Sequence, residues 1–131
     1  FTDPNEAARF VEETGVDALA VAIGTVHGPY QGEPRLELDL LSQIREAVSV
    51  PLVLHGGSGL SPDDFRQAIA RGIAKVNVFT ENSLAAVQAI RGLLALGKPV
   101  GYPDLITAAQ DSVQEVVARQ IEIFGTKKMA E

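Results

Sequence analysis

Leu54-His55-Gly56-Gly57-Ser58-Gly59-Leu60 closes an apolar run, supplies one of the chain's two histidines, and passes through four small residues toward a helix start. The other histidine lies in Gly24-Thr25-Val26-His27-Gly28, directly after the run Ala18-Leu19-Ala20-Val21-Ala22-Ile23. Unbroken hydrophobicity, without alternation, is what a parallel strand covered on both faces requires. Both histidines therefore fall where a buried strand hands over to a loop.

Outward from that stretch, helix and strand signals alternate. Asp3-Pro4-Asn5-Glu6 combines a cap, a proline suited to the first helical position and an acid at capping-box spacing. Ala7, Ala8, Phe10 and Val11 give this helix an apolar face, and Gly15 ends it. After His27 comes a polar loop with Pro29, Tyr30, Gly32 and Pro34, and then Leu38 to Val48 carries apolar residues at helical spacing. Pro51 precedes a second buried strand, Leu52-Val53-Leu54. Ser61-Pro62-Asp63-Asp64 repeats the arrangement of cap, proline and acid, and its helix runs to Gly72. A third strand is expected over Ile73–Phe79, a helix interrupted at Gly92 over Glu81–Leu96, a turn at Gly101-Tyr102-Pro103, and a long helix over Asp104–Phe124.

The order α-β-α-β-α-β with short connections predicts an α/β fold, a parallel sheet with helices outside it. Three parallel strands leave both edges open. Closure would come from an unrecognised fourth strand in a small doubly wound sheet, or from a (β/α)8 barrel of which this is the second half, since such a barrel needs about 250 residues. The absence of an initiator Met and the opening on a helix cap favour the half-barrel. No linker or low-complexity tract divides residues 1–131, which are expected to form a single unit.

Composition narrows the function. With 46% hydrophobic residues the chain reads as globular, and its 11 basic against 17 acidic residues, a net charge of −6, argue against a nucleic-acid partner. No run approaches the roughly 18 apolar residues of a membrane span, and no signal pattern opens the chain. The lack of cysteine removes disulfides and thiolate ligands and fits the cytoplasm.

In either parallel architecture function gathers at the carboxyl ends of the strands. His27, His55 and Asn77-Val78-Phe79-Thr80 all fall there and form one rim. Neutral imidazole is the commonest zinc ligand. The same two histidines would also serve as loop residues with unrelated hydrogen bonds. The backbone N–H groups of Gly56-Gly57-Ser58-Gly59 can approach a phosphate, and a helix follows whose N-terminus favours an anion; alternatively the glycines make a tight turn. An Asn at position 77 in a buried strand must find a partner, either a substrate hydroxyl or a core group. Lys75 shares its face one pleat deeper and reads as structural or solvated, not as a Schiff-base lysine. Glu12-Glu13 and Asp63-Asp64 read as solvated faces or caps, and Lys127-Lys128 as a tail.

Taken together, Thr2-Asp3-Pro4…Glu6-Ala7, Gly15-Val16-Asp17…Leu19-Ala20-Val21-Ala22-Ile23-Gly24-Thr25-Val26-His27-Gly28, Pro51-Leu52-Val53-Leu54-His55-Gly56-Gly57-Ser58-Gly59 and Gly72-Ile73…Lys75-Val76-Asn77-Val78…Thr80-Glu81 resemble the class II, zinc-dependent ketose-bisphosphate aldolases, nearest to the tagatose- and fructose-bisphosphate group. The resemblance covers nearly the whole chain. It implies the C-terminal half of a (β/α)8 barrel and a reversible aldol cleavage of a ketose (bis)phosphate to dihydroxyacetone phosphate and an aldehyde. It also implies His27 and His55 as two of three zinc histidines. Gly28, Gly56, Gly57, Ser58, Asn77, Val78, Phe79 and Thr80 would hold the dihydroxyacetone phosphate part of the substrate. A monovalent cation, Na+ or K+, often lies near this phosphate in the family, and its members are dimers or tetramers.

The resemblance assigns the third histidine, the proton-donating aspartate and the loop glutamate to the family's N-terminal half, the expected partner of this chain. It further implies that the chain begins just past a mobile loop. No catalytic acid or base is therefore identified in residues 1–131. Two departures bear on the substrate: Phe79 stands where fructose-bisphosphate enzymes carry an Asp, and Ser83 where relatives often place a basic residue that pairs with the distal phosphate. Loss of a charged phosphate partner weakens binding of a bisphosphate. A competing reading is a non-catalytic phosphate-binding or assembly half-barrel. A nicotinamide-binding domain is disfavoured, because Gly56-Gly57-Ser58-Gly59 does not fit the G-x-G-x-x-G pattern.

Overall fold

Local caps start or stop several of the helices, as the computed structural model, which describes residues 1–25 and 35–126, shows. The Asp3 carboxylate accepts from the N–H groups of Asn5 (2.9 Å) and Glu6 (3.0 Å), and α1 runs Pro4–Thr14. Gly15 closes it with φ 64°, a left-handed conformation that glycine adopts without a Cβ penalty, and its N–H donates to the Val11 carbonyl. β1 (Leu19–Val21) follows, then α2 (Leu38–Ala47), β2 (Leu52–Leu54), α3 (Pro62–Ala70) and β3 (Ile73–Val76). α3 opens on a complete capping box. Ser61 Oγ accepts from the Asp64 N–H (3.1 Å), while the Asp64 carboxylate accepts from the Ser61 N–H (2.9 Å) and from its hydroxyl (2.7 Å).

The three strands form one parallel sheet in the order β1-β2-β3, as the alternating pattern predicts. β2 is central and buried along its whole length. Leu52 and Leu54 are inaccessible to solvent, as are Ile23 beyond β1 and Leu41 and Ile44 of α2. Each such side chain contributes roughly 1.5–3 kcal/mol through its removal from water. The chain around β1 is pinned at both sides of the strand's exit: the Thr2 N–H donates to the Ala22 carbonyl (2.9 Å), Thr2 Oγ1 accepts from the Ala22 N–H (2.8 Å), and the Glu37 N–H donates to the Ile23 carbonyl (2.9 Å).

β3 departs from the expected strand in two ways. It ends at Val76, not at Phe79, because its final ladder bond, from the Asn77 N–H to the Leu54 carbonyl (2.9 Å), exhausts β2. It also carries an irregularity of register. Leu52 pairs with Ile73, but Val53 pairs with Lys75 and Leu54 with Val76, so Ala74 is an extra residue in the ladder. Such a bulge re-aims the side chains beyond it.

The chain divides into two compact units, Phe1–Val78 and Phe79–Glu131. The second contains α4 (Thr80–Ala95) and α5 (Tyr102–Phe124), which pack on each other. The Ser112 hydroxyl donates to the Ala85 carbonyl (3.2 Å), and the Glu81 carboxylate accepts from Arg119 Nη2 (2.7 Å) and from Gln120 Nε2 (3.0 Å). Gly92 does not interrupt α4, since a helix tolerates an isolated glycine at modest cost. The expected turn at Gly101–Pro103 is instead the start of α5: Gly101 is the residue before the helix, and its N–H donates to the Asp104 carboxylate (2.8 Å). No helix among the described residues is long and apolar enough to cross a membrane.

Candidate functional site

The bulge in β3 determines what stands beside His55. In an unbroken parallel register Val76 would lie level with His55. With Ala74 inserted, Asn77 takes that level instead. Neighbouring residues at one level of a sheet project from the same face, and Asn77 Nδ2 donates to His55 Nε2 at 2.8 Å. Both residues are half-buried. Lys75, two residues earlier, donates from its ammonium to Asn77 Oδ1. The Asn77 amide, expected to need a partner, has one on each of its heads.

The turn after His55 is built for close approach within the protein. Gly56 has φ 69° and Gly59 φ 105°. The Leu60 N–H donates to the Gly57 carbonyl (3.2 Å), closing a four-residue turn whose third position, Gly59, requires positive φ in a type II turn. Gly57 is buried, and a Cβ placed there would lie 3.0 Å from Phe65 Cε1 and 3.2 Å from Cζ. The missing side chain at Gly57 thus makes room for the Phe65 ring of α3. Ser58, half-buried, lies at the turn's second position. The N-terminus of α3 is already served by its own Ser61 and Asp64, and Asp63 and Asp64 place two carboxylates in its first turn. Those acids take up the favourable end of the helix dipole and repel a further anion there. The first turn of α3 thus carries its own caps and two carboxylates.

The remaining candidates divide by position. Val78 is half-buried and closes the first unit. Phe79 opens the second, 78% exposed, and precedes α4 without giving it a side-chain cap. Thr80 is the first residue of α4 and half-buried. His27 and Gly28 lie outside the described residues, as does Lys127-Lys128. The contacts that reading the sequence missed are those of Phe65 and Lys75. The i, i+2 spacing of Lys75 and Asn77 signals a shared face, and the bulge decides that Asn77 stands level with His55.

A zinc site can be tested against these donors in part. His55 offers an imidazole at a strand's carboxyl end, with Nε2 2.8 Å from the Asn77 amide nitrogen; a ligating ring donates its other N–H to an acceptor, which an amide supplies through its oxygen and not its NH2 group. Among the described residues no group of three or more His, Cys, Asp or Glu side chains is placed to hold a metal ion. The described residues thus fit zinc through a single ligand.

The chain is similar to known proteins over nearly its whole length. The family model for fructose-bisphosphate aldolase class-II matches residues 1–129. A fructose-bisphosphate aldolase from Staphylococcus aureus is 44% identical over 131 residues, spanning 99% of this chain and 46% of the relative. The crystal structure of the YdjI aldolase from Escherichia coli K12 superposes with a TM-score of 0.87 at 43% identity, covering 99% of this chain and 47% of that one. A fructose-bisphosphate aldolase from Campylobacter jejuni, 22% identical, has the same fold with a TM-score of 0.77 over 95% of this chain and 45% of its own. The chain spans about half the length of the curated relatives it matches, and its parallel α/β architecture is that of the matched part of the aldolase structures, as expected for half of a larger barrel. On the strength of the family model and these relatives, the chain belongs to the class-II fructose-bisphosphate aldolase family.

Proposed function

We propose that the complete protein cleaves a ketose (bis)phosphate reversibly to dihydroxyacetone phosphate and an aldehyde, with zinc as cofactor. The observation that carries the proposal is the pairing of His55 with Asn77 across adjacent strand ends, one residue before the Gly56–Gly59 turn. Membership of the aldolase family supplies the reaction class.

In this reading His27 and His55 are two zinc ligands, and the family's N-terminal half, the partner of this chain in a closed (β/α)8 barrel, supplies the third together with the acid and base. Residues 1–131 then act as one half of that barrel. Zinc bound there supplies Lewis-acid polarisation of the substrate carbonyl. The chain's own residues bind and orient. Backbone N–H groups of Gly28, Gly56 and Gly57, with Ser58, receive the phosphate, and fixing that end aligns the carbon chain for cleavage. Asn77 has hydrogen-bonding capacity at the level of the His55 ring, suited to a substrate hydroxyl or to the ring itself. Val78, Phe79 and Thr80 continue the phosphate-facing segment, as the family resemblance has it, and a monovalent cation near the phosphate belongs to the same proposal. Phe79 and Ser83 lack the charge that would pair with a second phosphate, so the aldehyde half is proposed to differ from that of the fructose-bisphosphate enzymes. A homodimeric or homotetrameric, cytoplasmic enzyme is part of the reading.

The test is His55→Ala in the complete protein. Tight zinc binding and aldol cleavage should be lost together, read by bound-metal analysis and by release of dihydroxyacetone phosphate. Unchanged metal content in the variant would remove His55 from the ligand set.

A further inference from the structure

In α3 and α5 an aspartate of the first turn folds back onto the start of its own helix. The Asp64 carboxylate accepts from the Ser61 N–H, and the Asp104 carboxylate from the Gly101 N–H. α4 is built otherwise. Phe79, ahead of it, supplies no side-chain cap, and the first backbone bond of the helix runs from the Ser83 N–H to the Phe79 carbonyl (3.0 Å). The acid of its first turn is Glu81, and α5 takes hold of both oxygens of that carboxylate. Oε1 accepts from Arg119 Nη2 at 2.7 Å and Oε2 from Gln120 Nε2 at 3.0 Å.

The two donors differ in what they contribute. Gln120 is buried, 7% exposed. A buried amide must find partners, and this one directs its NH2 group to Glu81, which fixes the carboxylate against α5. Arg119 supplies the charge. The side chains of the ion pair are 59% and 37% exposed, and a pair so exposed contributes little to stability. Its larger effect is on the field beside Thr80. A carboxylate one residue beyond Thr80 sets a negative charge against any anion bound there. Arg119 cancels that charge, and the partial positive charge of the first turn of α4 is left to act.

We infer that Arg119 is a positioning residue for the substrate phosphate: acting through Glu81, whose carboxylate Gln120 holds as well, it keeps the Thr80 end of α4 attractive to an anion. This rests on the reading of Thr80 as part of the phosphate-facing segment and deepens it. Arg119 touches no substrate in this account.

The experiment titrates the complete protein with inorganic phosphate by calorimetry, as wild type and as Arg119→Met, Glu81→Gln, the double variant Glu81→Gln/Arg119→Met, and Thr80→Val. Arg119→Met leaves the Glu81 charge uncancelled and should weaken phosphate binding roughly 5-fold at low ionic strength, the order of one charge acting on a nearby dianion at a hydrated surface. Glu81→Gln leaves the Arg119 charge in excess and should tighten it. The double variant, with neither charge, should return close to wild type. All these differences should narrow as salt is raised, because exposed charges are screened over about 10 Å at 0.1 M ionic strength. A merely structural pair behaves differently: both single variants weaken binding, the double does not recover, and salt changes nothing. That pattern would overturn the inference, as would wild-type affinity in Arg119→Met when Thr80→Val weakens binding. Should Arg119→Met fail to fold, Glu81→Gln decides alone, tighter if the inference holds and unchanged or weaker if it does not. Failure of the underlying reading is seen separately, as wild-type phosphate affinity in Thr80→Val, which removes Thr80 from the phosphate-facing segment and the inference with it.

Discussion

At the level of single residues, Gly57 shows how one observation divides two explanations that the sequence alone leaves open. A glycine in such a turn leaves space either for a ligand or for the protein's own core. Here the Phe65 ring occupies the space, 3.0 Å from where a Cβ would lie. Gly57→Ala should therefore destabilise the fold by about 1–3 kcal/mol, the usual range for overpacking a filled site, and lower the urea midpoint accordingly. Phe65→Leu should relieve part of that cost in a double-mutant cycle, since the two residues are in contact. A neutral Gly57→Ala that nonetheless weakened phosphate binding would return the glycine's role to the ligand. Lys75 makes the complementary point. Its place on the face of Asn77 is legible in the sequence, but the level of that face relative to His55 is not, because it is set by the extra residue Ala74 in the pairing with β2.

The elements were legible where their signals are local. Asp3 before Pro4, Ser61 before Pro62 and Asp64, and Gly15 and Gly125 at helix ends act within one turn of chain, and the structure has caps at each. Strand limits and register were not, because they are set by partners distant in sequence: β3 stops where β2 gives out, and Ala74 is an extra residue only relative to Val53 and Lys75. The start of α5 at Tyr102 was misread for a related reason. Gly-Tyr-Pro is a turn signal, yet Asp104 three residues on converts it into a helix entry by accepting from the Gly101 N–H. Gly92 of α4 offers the cleanest test of an element's own preferences. It lies inside the helix, its φ is not left-handed, and nothing stands within 4 Å of a Cβ built there. Gly92→Ala should stabilise by about 0.5–1 kcal/mol through the lost entropy of the unfolded chain and the better helix propensity. Thermal unfolding that begins at a higher temperature checks it. A lowered midpoint would mean that the space at Gly92 is occupied in the folded protein.

For the molecule as a whole, the sequence bounds what this chain can do with metal. It holds two histidines and no cysteine. A catalytic zinc site takes three protein ligands and leaves one position open, and among the described residues no group of three metal-ligating side chains is placed together. The proposed function draws its third ligand from the family's N-terminal half, and the chain spans 46% of the Staphylococcus aureus aldolase. The alternative, a half-barrel that binds phosphate or assembles without catalysis, makes no such demand. Zinc titration against a competing chelator separates them. The isolated 131-residue chain should bind zinc more than about 100-fold more weakly than the complete protein, beyond the roughly 10–100-fold that loss of an outer partner costs, and should show no aldol cleavage. Addition of the N-terminal half should restore both together, because the third ligand and the proton-transfer groups arrive on the same segment. Tight zinc binding by the isolated chain would show that residues 1–131 complete the ligand set themselves. Equal and weak binding with and without the N-terminal half would favour the non-catalytic reading.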